Sequence, residues 1–205
     1  MTALTVLTSS LPERAHMLAE AIESVRLQTV PVPHLIYVDH LRQSPSHAYN
    51  LLARGADTEW ITFLDDDDIL HPDHVETLTK SIEQDPEVDV VYTRPNCVGQ
   101  HIAWYYEPFS PETLKTRSIV PITAAVRREV FWAAGGHFPE WGADWRLWQR
   151  IAENGGRFRA LEQTTWNYVR HPLGQRSWGE LGDIYNQGGE ALSSKDSPWV
   201  NSKQN

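Results

Sequence analysis

Cysteine is nearly absent from this chain, and its one representative, Cys97, leaves no partner for an internal disulfide and no thiolate cluster for a metal. That usage fits a reducing compartment, so a cytoplasmic setting is expected. Basic residues are also scarce: 18 Lys and Arg stand against 27 Asp and Glu, a formal charge of −9. A dedicated nucleic-acid binder draws its phosphate affinity from Lys and Arg, so this balance argues against one while leaving room for a local basic groove. Long apolar runs are missing too, and no transmembrane segment is expected. The N-terminus passes from Met1-Thr2-Ala3 straight into a strand-like Leu4-Thr5-Val6-Leu7, so no signal peptide is expected either. The GxxxxGK[ST] loop, the GxGxxG loop and the GxSxG elbow are all absent, which removes the P-loop kinase, dinucleotide and serine-hydrolase readings.

What the chain does have is length for one ordinary domain with a real core, 205 residues, and nine tryptophans, eight of them crowded into its second half. Some of these indoles must be core, and others can serve as platforms for a sugar ring or a base. The most informative stretch is Trp60-Ile61-Thr62-Phe63-Leu64, an apolar strand that stops in Asp65-Asp66-Asp67-Asp68. Side chains leaving the carboxyl end of a strand project into the crevice where open α/β sheets bind ligands. Four adjacent carboxylates repel one another there, and a hard divalent ion such as Mn²⁺ or Mg²⁺ relieves the repulsion while keeping substrate phosphates as further ligands. The plainer alternative is an acidic turn before the helix that Pro72 starts.

Around this run the pattern alternates strand and helix. Leu4 to Leu7 reads as a strand, then a helix with Ser10 and Glu13 at capping-box spacing and apolar repeats at Ala15, Leu18, Ile22 and Val25. Leu35 to Val38 is a strand ending at Asp39, Ala48 to Arg54 a helix, Pro72 to Gln84 a helix and Val88 to Tyr92 a strand. Serial strand–helix units of this kind argue for α/β architecture, a mostly parallel open sheet flanked by helices. Later come a strand over Ile102 to Tyr106, a helix over Pro111 to Thr116, a strand over Val120 to Val126 and a helix over Arg128 to Ala134, stopped by Gly135-Gly136. A further helix is predicted from about Asp144 to Asn154, then apolar segments Arg157 to Leu161 and Thr165 to Val169. A carboxylate at a helix start is held in its charged form by the free N–H groups, so Asp144 reads first as a cap.

In their order these features resemble the family 2 glycosyltransferases of the GT-A fold, within the nucleotide-diphospho-sugar transferase superfamily. The likeness rests on the Ser/Thr loop after the first strand, Val25-x-x-Gln28-Thr29, the strand ending in Val38-Asp39, and Phe63-Leu64-Asp65-x-Asp67-Asp68. It continues in Gly135-Gly136-x-Phe138, Asp144-Trp145-x-Leu147-Trp148-x-Arg150 and Tyr168-x-x-His171. The resemblance implies a GT-A-type single domain with its nucleotide site at the carboxyl ends of the strands. It divides the chain into a nucleotide-sugar-binding half at 1–95 and an acceptor-side half at 96–173, and the tail at 174–205, rich in Gly, Ser, Asn and Gln, is expected to be a partly mobile extension. By the same likeness Thr8, Ser9, Asp39 and Asn50 line the nucleotide pocket, with Asp39 on the base. Asp65 and Asp67 are the two acids of a DxD motif, Asp65 toward the ribose and Asp67 on the metal, a task that Asp66 or Asp68 can share. His171 matches a histidine that reaches the metal or diphosphate, Asp144 the catalytic base, and Gly135 and Gly136 the acceptor side, where Trp141 and Trp145 flank the base.

The chain departs from the family pattern in two places. His40-Leu41-Arg42-Gln43 follows Asp39 where Asp-Gly-Ser is common after the Val-Asp strand end, and Ala143 stands where an acid commonly precedes the base. The Gln-x-x-Arg-Trp of processive synthases is also missing, so transfer of a single sugar is expected. The implied reaction takes a sugar from a nucleoside-diphosphate sugar, a UDP-sugar first, to an acceptor hydroxyl with inversion, assisted by Mn²⁺ or Mg²⁺. The acceptor is left open among a glycan, a lipid-linked intermediate, a protein and a modified nucleic acid. Three other readings stay beside it: a metal-dependent phosphatase or nuclease, a nucleotidyltransferase, and a non-catalytic sugar-nucleotide-binding module.

Overall fold

The computed structural model describes residues 3–99 and 107–170. The strand expected at Ile102 to Tyr106, His171 and the extension at 174–205 lie outside the described residues. Within Met1–Val169, which forms one compact unit, the chain begins with β1 (Leu4–Ser10), a 3-10 turn (Pro12–Arg14) and α1 (Ala15–Arg26). Then follow β2 (His34–Val38), α2 (Pro45–Gly55), β3 (Trp60–Asp65), β4 (Ile69–Leu70), α3 (His74–Gln84) and β5 (Val90–Gly99). The second half adds α4 (Pro111–Thr116), β6 (Ala125–Arg127), α5 (Arg128–Ala133), α6 (Ala143–Glu153) and β7 (Phe158–Arg170).

The strands join in one seven-stranded sheet of order β2-β1-β3-β6-β5-β7-β4. β1 pairs in parallel with both β2 and β3, β6 runs antiparallel to β3, and β5, antiparallel to β6, returns to the direction of β3. Alternation along the strands loads both faces of the sheet. On one side Leu7, Ile61, Phe63, Tyr92 and Val126 pack with Tyr49 and Leu52 of α2, Phe131 of α5 and Leu147, Trp148 and Ile151 of α6. On the other, Val6, Trp60, Leu64 and Val91 pack with Ala21 and Val25 of α1 and Val75, Leu78 and Ile82 of α3. The result is a three-layer α/β fold, a mostly parallel sheet with helices on both faces.

Four local expectations change. Ser10 does not cap a helix: its hydroxyl donates to Asp66, and the chain enters α1 through the 3-10 turn instead. Val120 to Ala124 is a buried turn closed by Ala124 N–H on Pro121 O at 3.2 Å, so apolarity there records burial, and the strand proper is only Ala125–Arg127. The two segments after Arg157 are one strand, β7, which pairs with the two-residue β4 that the sequence reading did not contain. Pro72 precedes α3, which starts at His74.

His74 shows how the fold depends on pH. It is fully buried, its Nδ1 lies 2.7 Å from Thr165 Oγ1, and burial pushes its pKa down to about 3. In the unfolded chain the ring titrates near its ordinary value, so the unfolded state takes up the proton first as pH falls. Stability contributed by the neutral ring is complete above about pH 6.5 and is lost progressively toward pH 3, roughly 2 to 3 kcal/mol by pH 4.5. Urea midpoints measured at pH 7.5 and 4.5 are expected to separate less in His74→Gln than in the wild type.

Candidate functional site

The four acids sit where β3 ends, and the backbone turns there, closed by Asp68 N–H on Asp65 O at 3.1 Å. The turn splits the run in two: Asp66 and Asp68 are buried at 4% and 1% exposure, whereas Asp65 and Asp67 are half-buried. Each acid has a partner, and Asp66 and Asp67 share one. Asp65 Oδ1 accepts from the Tyr49 hydroxyl of α2 at 2.7 Å. Asp66 accepts from Ser10 Oγ at 2.5 Å and from Arg14, whose Nε lies 2.9 Å from both carboxylate oxygens and whose Nη2 lies 2.6 Å from Oδ1. Asp67 Oδ2 lies 2.8 Å from Arg14 Nη2. Asp68 Oδ1 accepts from Val169 N–H at 3.0 Å near the end of β7, and its Oδ2 is buried without a hydrogen-bond partner among the described residues.

The charge balance of this turn is unfavourable as it stands. Burial first, then the charge of Asp67, pushes Asp65 up to about 7 against the help of the Tyr49 hydroxyl, with Asp66 and Asp144 adding to the rise. Burial and the charges of Asp65 and Asp67 push Asp68 well above the usual carboxylate range. Burial also works against the charge of Arg14, but the bonds and charges of Asp66 and Asp67 more than offset it and hold the guanidinium protonated. These residues fit a divalent cation that takes one or two carboxylates, Asp67 and Asp65, and completes its shell with substrate oxygens. They do not fit a closed protein cage, since among the described residues no three His, Cys, Asp or Glu side chains are grouped to hold a metal.

Register brings the end of β1 to the same place, because Ser9 pairs with Asp65 across the parallel β1–β3 ladder. Ser9 is half-buried beside the acids, whereas Thr8 is fully buried with its Oγ1 2.8 Å from His34 Nε2. Asp39 is buried at the end of β2, where its two oxygens accept from the N–H groups of Leu41 at 3.1 Å and Ser44 at 3.0 Å. It pins a strained loop in which Arg42 (φ 52°) and Ser44 (φ 147°) both hold conformations unusual for residues with a Cβ. Asn50 spends its amide on the glycine loop: Nδ2 donates to His137 O at 2.7 Å and Oδ1 accepts from His137 N–H at 3.0 Å. The neighbouring α2 residues Tyr49 and Asn50 thus tie the acid turn and the Gly135-Gly136 loop to one helix.

That loop requires glycine at Gly136, whose φ is +70° and where a Cβ would lie 2.6 Å from Asn50 Oδ1. Arg150 of α6 braces it from below, with Nη2 donating to Gly136 O at 2.6 Å and Nε to Ala134 O at 2.9 Å. Asp144 sits in the first turn of α6, and its charge is felt at Asp65, so the helix start and the acid turn share one electrostatic neighbourhood. The tryptophans divide by role: Trp148 is fully buried, Trp145 donates its indole N–H to Leu114 O at 2.6 Å, and Trp141 is 44% exposed, edge-on to Trp145 at 5.8 Å. Sequence reasoning passed over Arg14 and Tyr49. Arg14 had a signal, being the first basic residue of the chain and standing just beyond the strand next to β3.

The family model for glycosyl transferase family 2 matches residues 40–185. A glycosyltransferase of Haemophilus influenzae, described as uncharacterized, is 26% identical over 118 residues, which cover 53% of this chain and 40% of that relative. Among solved structures, Staphylococcus aureus TarS (residues 1–349) in complex with UDP-GlcNAc is similar with a TM-score of 0.70 and 14% identity, over 83% of this chain and 59% of that one. The mannosyltransferase PcManGT of Pyrobaculum calidifontis, in complex with GDP-Man and Mn²⁺, is similar with a TM-score of 0.61 and 18% identity, over 82% and 56%. The chain therefore spans less than two thirds of the length of each of these proteins. No helix among the described residues is long and apolar enough to cross a membrane.

Proposed function

Because this chain belongs to glycosyl transferase family 2 and has the GT-A fold, we propose that it transfers a single sugar from a nucleoside-diphosphate sugar, UDP-linked first, to an acceptor hydroxyl with inversion. The observation that carries the reading is the convergence on β3. The half-buried Asp65 and Asp67 stand at its end, Ser9 lies alongside, and the charge of Asp144 reaches Asp65 from another element. Two similar structures hold nucleotide sugars, UDP-GlcNAc and GDP-Man, which supports a donor of that class.

In this reading residues 1–95 bind the donor, 96–173 serve the acceptor side, and 174–205 are an extension. Ser9, Thr8 and the Asp39 loop bound the nucleotide pocket, with Asn50 acting through the glycine loop. Asp65, oriented by Tyr49, faces the ribose, and Asp66 holds the turn. Asp67, with Asp65, is the seat for Mn²⁺ or Mg²⁺, to which His171 is a further candidate ligand. Such an ion supplies Lewis-acid neutralisation of the charge that develops on the leaving diphosphate. Asp144 accepts the proton of the attacking hydroxyl, and its place in the first turn of α6 favours the ionised form it needs. One base facing the side opposite the leaving group gives a single displacement, hence inversion. Gly135 and Gly136 shape the acceptor side, and the exposed face of Trp141, beside Trp145, offers an acceptor ring a stacking surface. The exposed free thiol of Cys97 suits the reducing cytoplasm we assign to it.

A melting-temperature screen of UDP-, GDP-, CDP- and dTDP-sugars with and without Mn²⁺ tests this reading. At least one donor is expected to raise the midpoint only when Mn²⁺ is present, since binding to the folded state stabilises by mass action. No shift with any donor, together with no release of nucleoside diphosphate on incubation, would overturn it.

A further inference from the structure

We propose that Arg14 is a positioning residue of the donor site that makes the acid turn favour a cation arriving with a diphosphate over a bare cation. The inference rests on the assignment of Asp67 as the metal seat. Arg14 ends a short 3-10 turn fixed by Pro12 and by Arg14 N–H on Leu11 O at 3.0 Å, so its backbone has little freedom. Its side chain is only 11% exposed and lies between the side chains of Asp66, 6% exposed, and Asp67, 23% exposed. Asp66 anchors it. That carboxylate receives Nε on both oxygens and Nη2 on one, and Ser10 Oγ takes up further acceptor capacity, so Asp66 is occupied in holding the guanidinium. Nη2 is then delivered to Asp67 Oδ2 at 2.8 Å.

Two consequences follow from that placement. Asp67 is held in one orientation by a fork that is planar and directional, which a lysine ammonium would not reproduce. A fixed positive charge also stands within contact distance of the carboxylate that would bind the ion. A bare divalent cation must approach against that charge at short range, where repulsion in a partly buried site is strong. A cation bound to a nucleoside diphosphate brings compensating negative charge, and the guanidinium, a good partner for phosphate, then attracts the complex. Arg14 thereby couples metal binding to donor binding.

The test measures Mn²⁺ affinity by titration calorimetry and electron paramagnetic resonance, first with MnCl₂ alone and then with saturating UDP, in the wild type, Arg14→Gln and Arg14→Lys. The wild type is expected to bind Mn²⁺ weakly alone and much more tightly with UDP. Arg14→Gln is expected to bind bare Mn²⁺ about tenfold or more tightly and to lose most of the UDP-dependent gain. Arg14→Lys, which keeps the charge, is expected to retain the preference. Because Arg14→Gln strands the buried Asp66, the paired variant Arg14→Gln/Asp66→Asn is measured as well and is expected to behave alike if the single variant does not fold. Unchanged bare-metal affinity in a folded Arg14→Gln or paired variant overturns the role of Arg14 while the donor-site reading stands. Failure of the wild type to bind Mn²⁺ both with and without UDP overturns the metal seat itself, and this inference with it.

Discussion

Asp144→Asn is expected to lower kcat by about 10²- to 10⁴-fold while leaving the affinity for the nucleotide-sugar donor within about twofold of the wild type, the scale set by loss of a general base. The substitution is nearly isosteric, so the packing of α6 is expected to survive it. α6 is entered through Gly142, and its packing comes from Leu147, Trp148 and Ile151 on the sheet and from the Trp145 and Gln149 bonds to Leu114 O. In the proposed reading, what is removed is a proton acceptor on the acceptor side. Donor binding, in that reading, draws on the acids of the β3 turn, and these lose a repulsive neighbour, since Asp144 contributes to the raised pKa of Asp65. A split of this kind, turnover lost with donor binding kept, distinguishes a base from a structural cap, whose loss would lower the melting temperature and both kinetic constants together. Steady-state kinetics with the donor identified in the screen, alongside calorimetric donor binding, makes the measurement. Near-wild-type turnover excludes Asp144 as the base.

How much of this site was legible in the sequence depends on the range of the interactions involved. β3 and its acid run were readable because a buried strand and its end are local patterns, and the helix carrying Asp144 was readable because apolar residues at helical spacing stop at Asn154-Gly155-Gly156. What holds Asp66 and Asp68 was not. Asp66 is held by Ser10 and Arg14, and Asp68 by the backbone of Val169, partners distant in sequence that only the sheet topology brings near. The same cause explains the Ser10 capping box, a correct local spacing overridden because Asp66 takes the hydroxyl. Asn50 was placed near the nucleotide by resemblance, and its amide proves to be engaged by His137, whose position depends on two left-handed glycines. β4 escaped because two residues carry no period, and its existence rests on pairing with Trp166 and Asn167. Val120 to Ala124 misled in the opposite direction, being apolar because it is buried and not because it is extended.

Asp67→Asn is expected to abolish the Mn²⁺ dependence of donor binding and to reduce turnover by about 10³-fold, in line with the several kcal/mol of charge stabilisation a metal supplies. The substitution should leave the fold intact. Asp67 is the largest charge acting on Asp65, so neutralising it relieves repulsion in the turn, while Arg14 keeps its bonds to Asp66. The melting temperature without ligand is therefore expected to hold or rise. Asp66→Asn should do the reverse. That residue is buried, and its charge is what satisfies the Arg14 guanidinium, so its loss leaves a buried cation partly unpaired and costs roughly 3 kcal/mol or more. Melting curves of the two variants with and without donor and Mn²⁺ separate the roles: Asp67→Asn stays folded and insensitive to Mn²⁺, whereas Asp66→Asn melts early. Mn²⁺-dependent donor binding that survives in Asp67→Asn would move the metal seat away from this residue, and an unaltered melting temperature in Asp66→Asn would remove the anchor on which the placement of Arg14 depends.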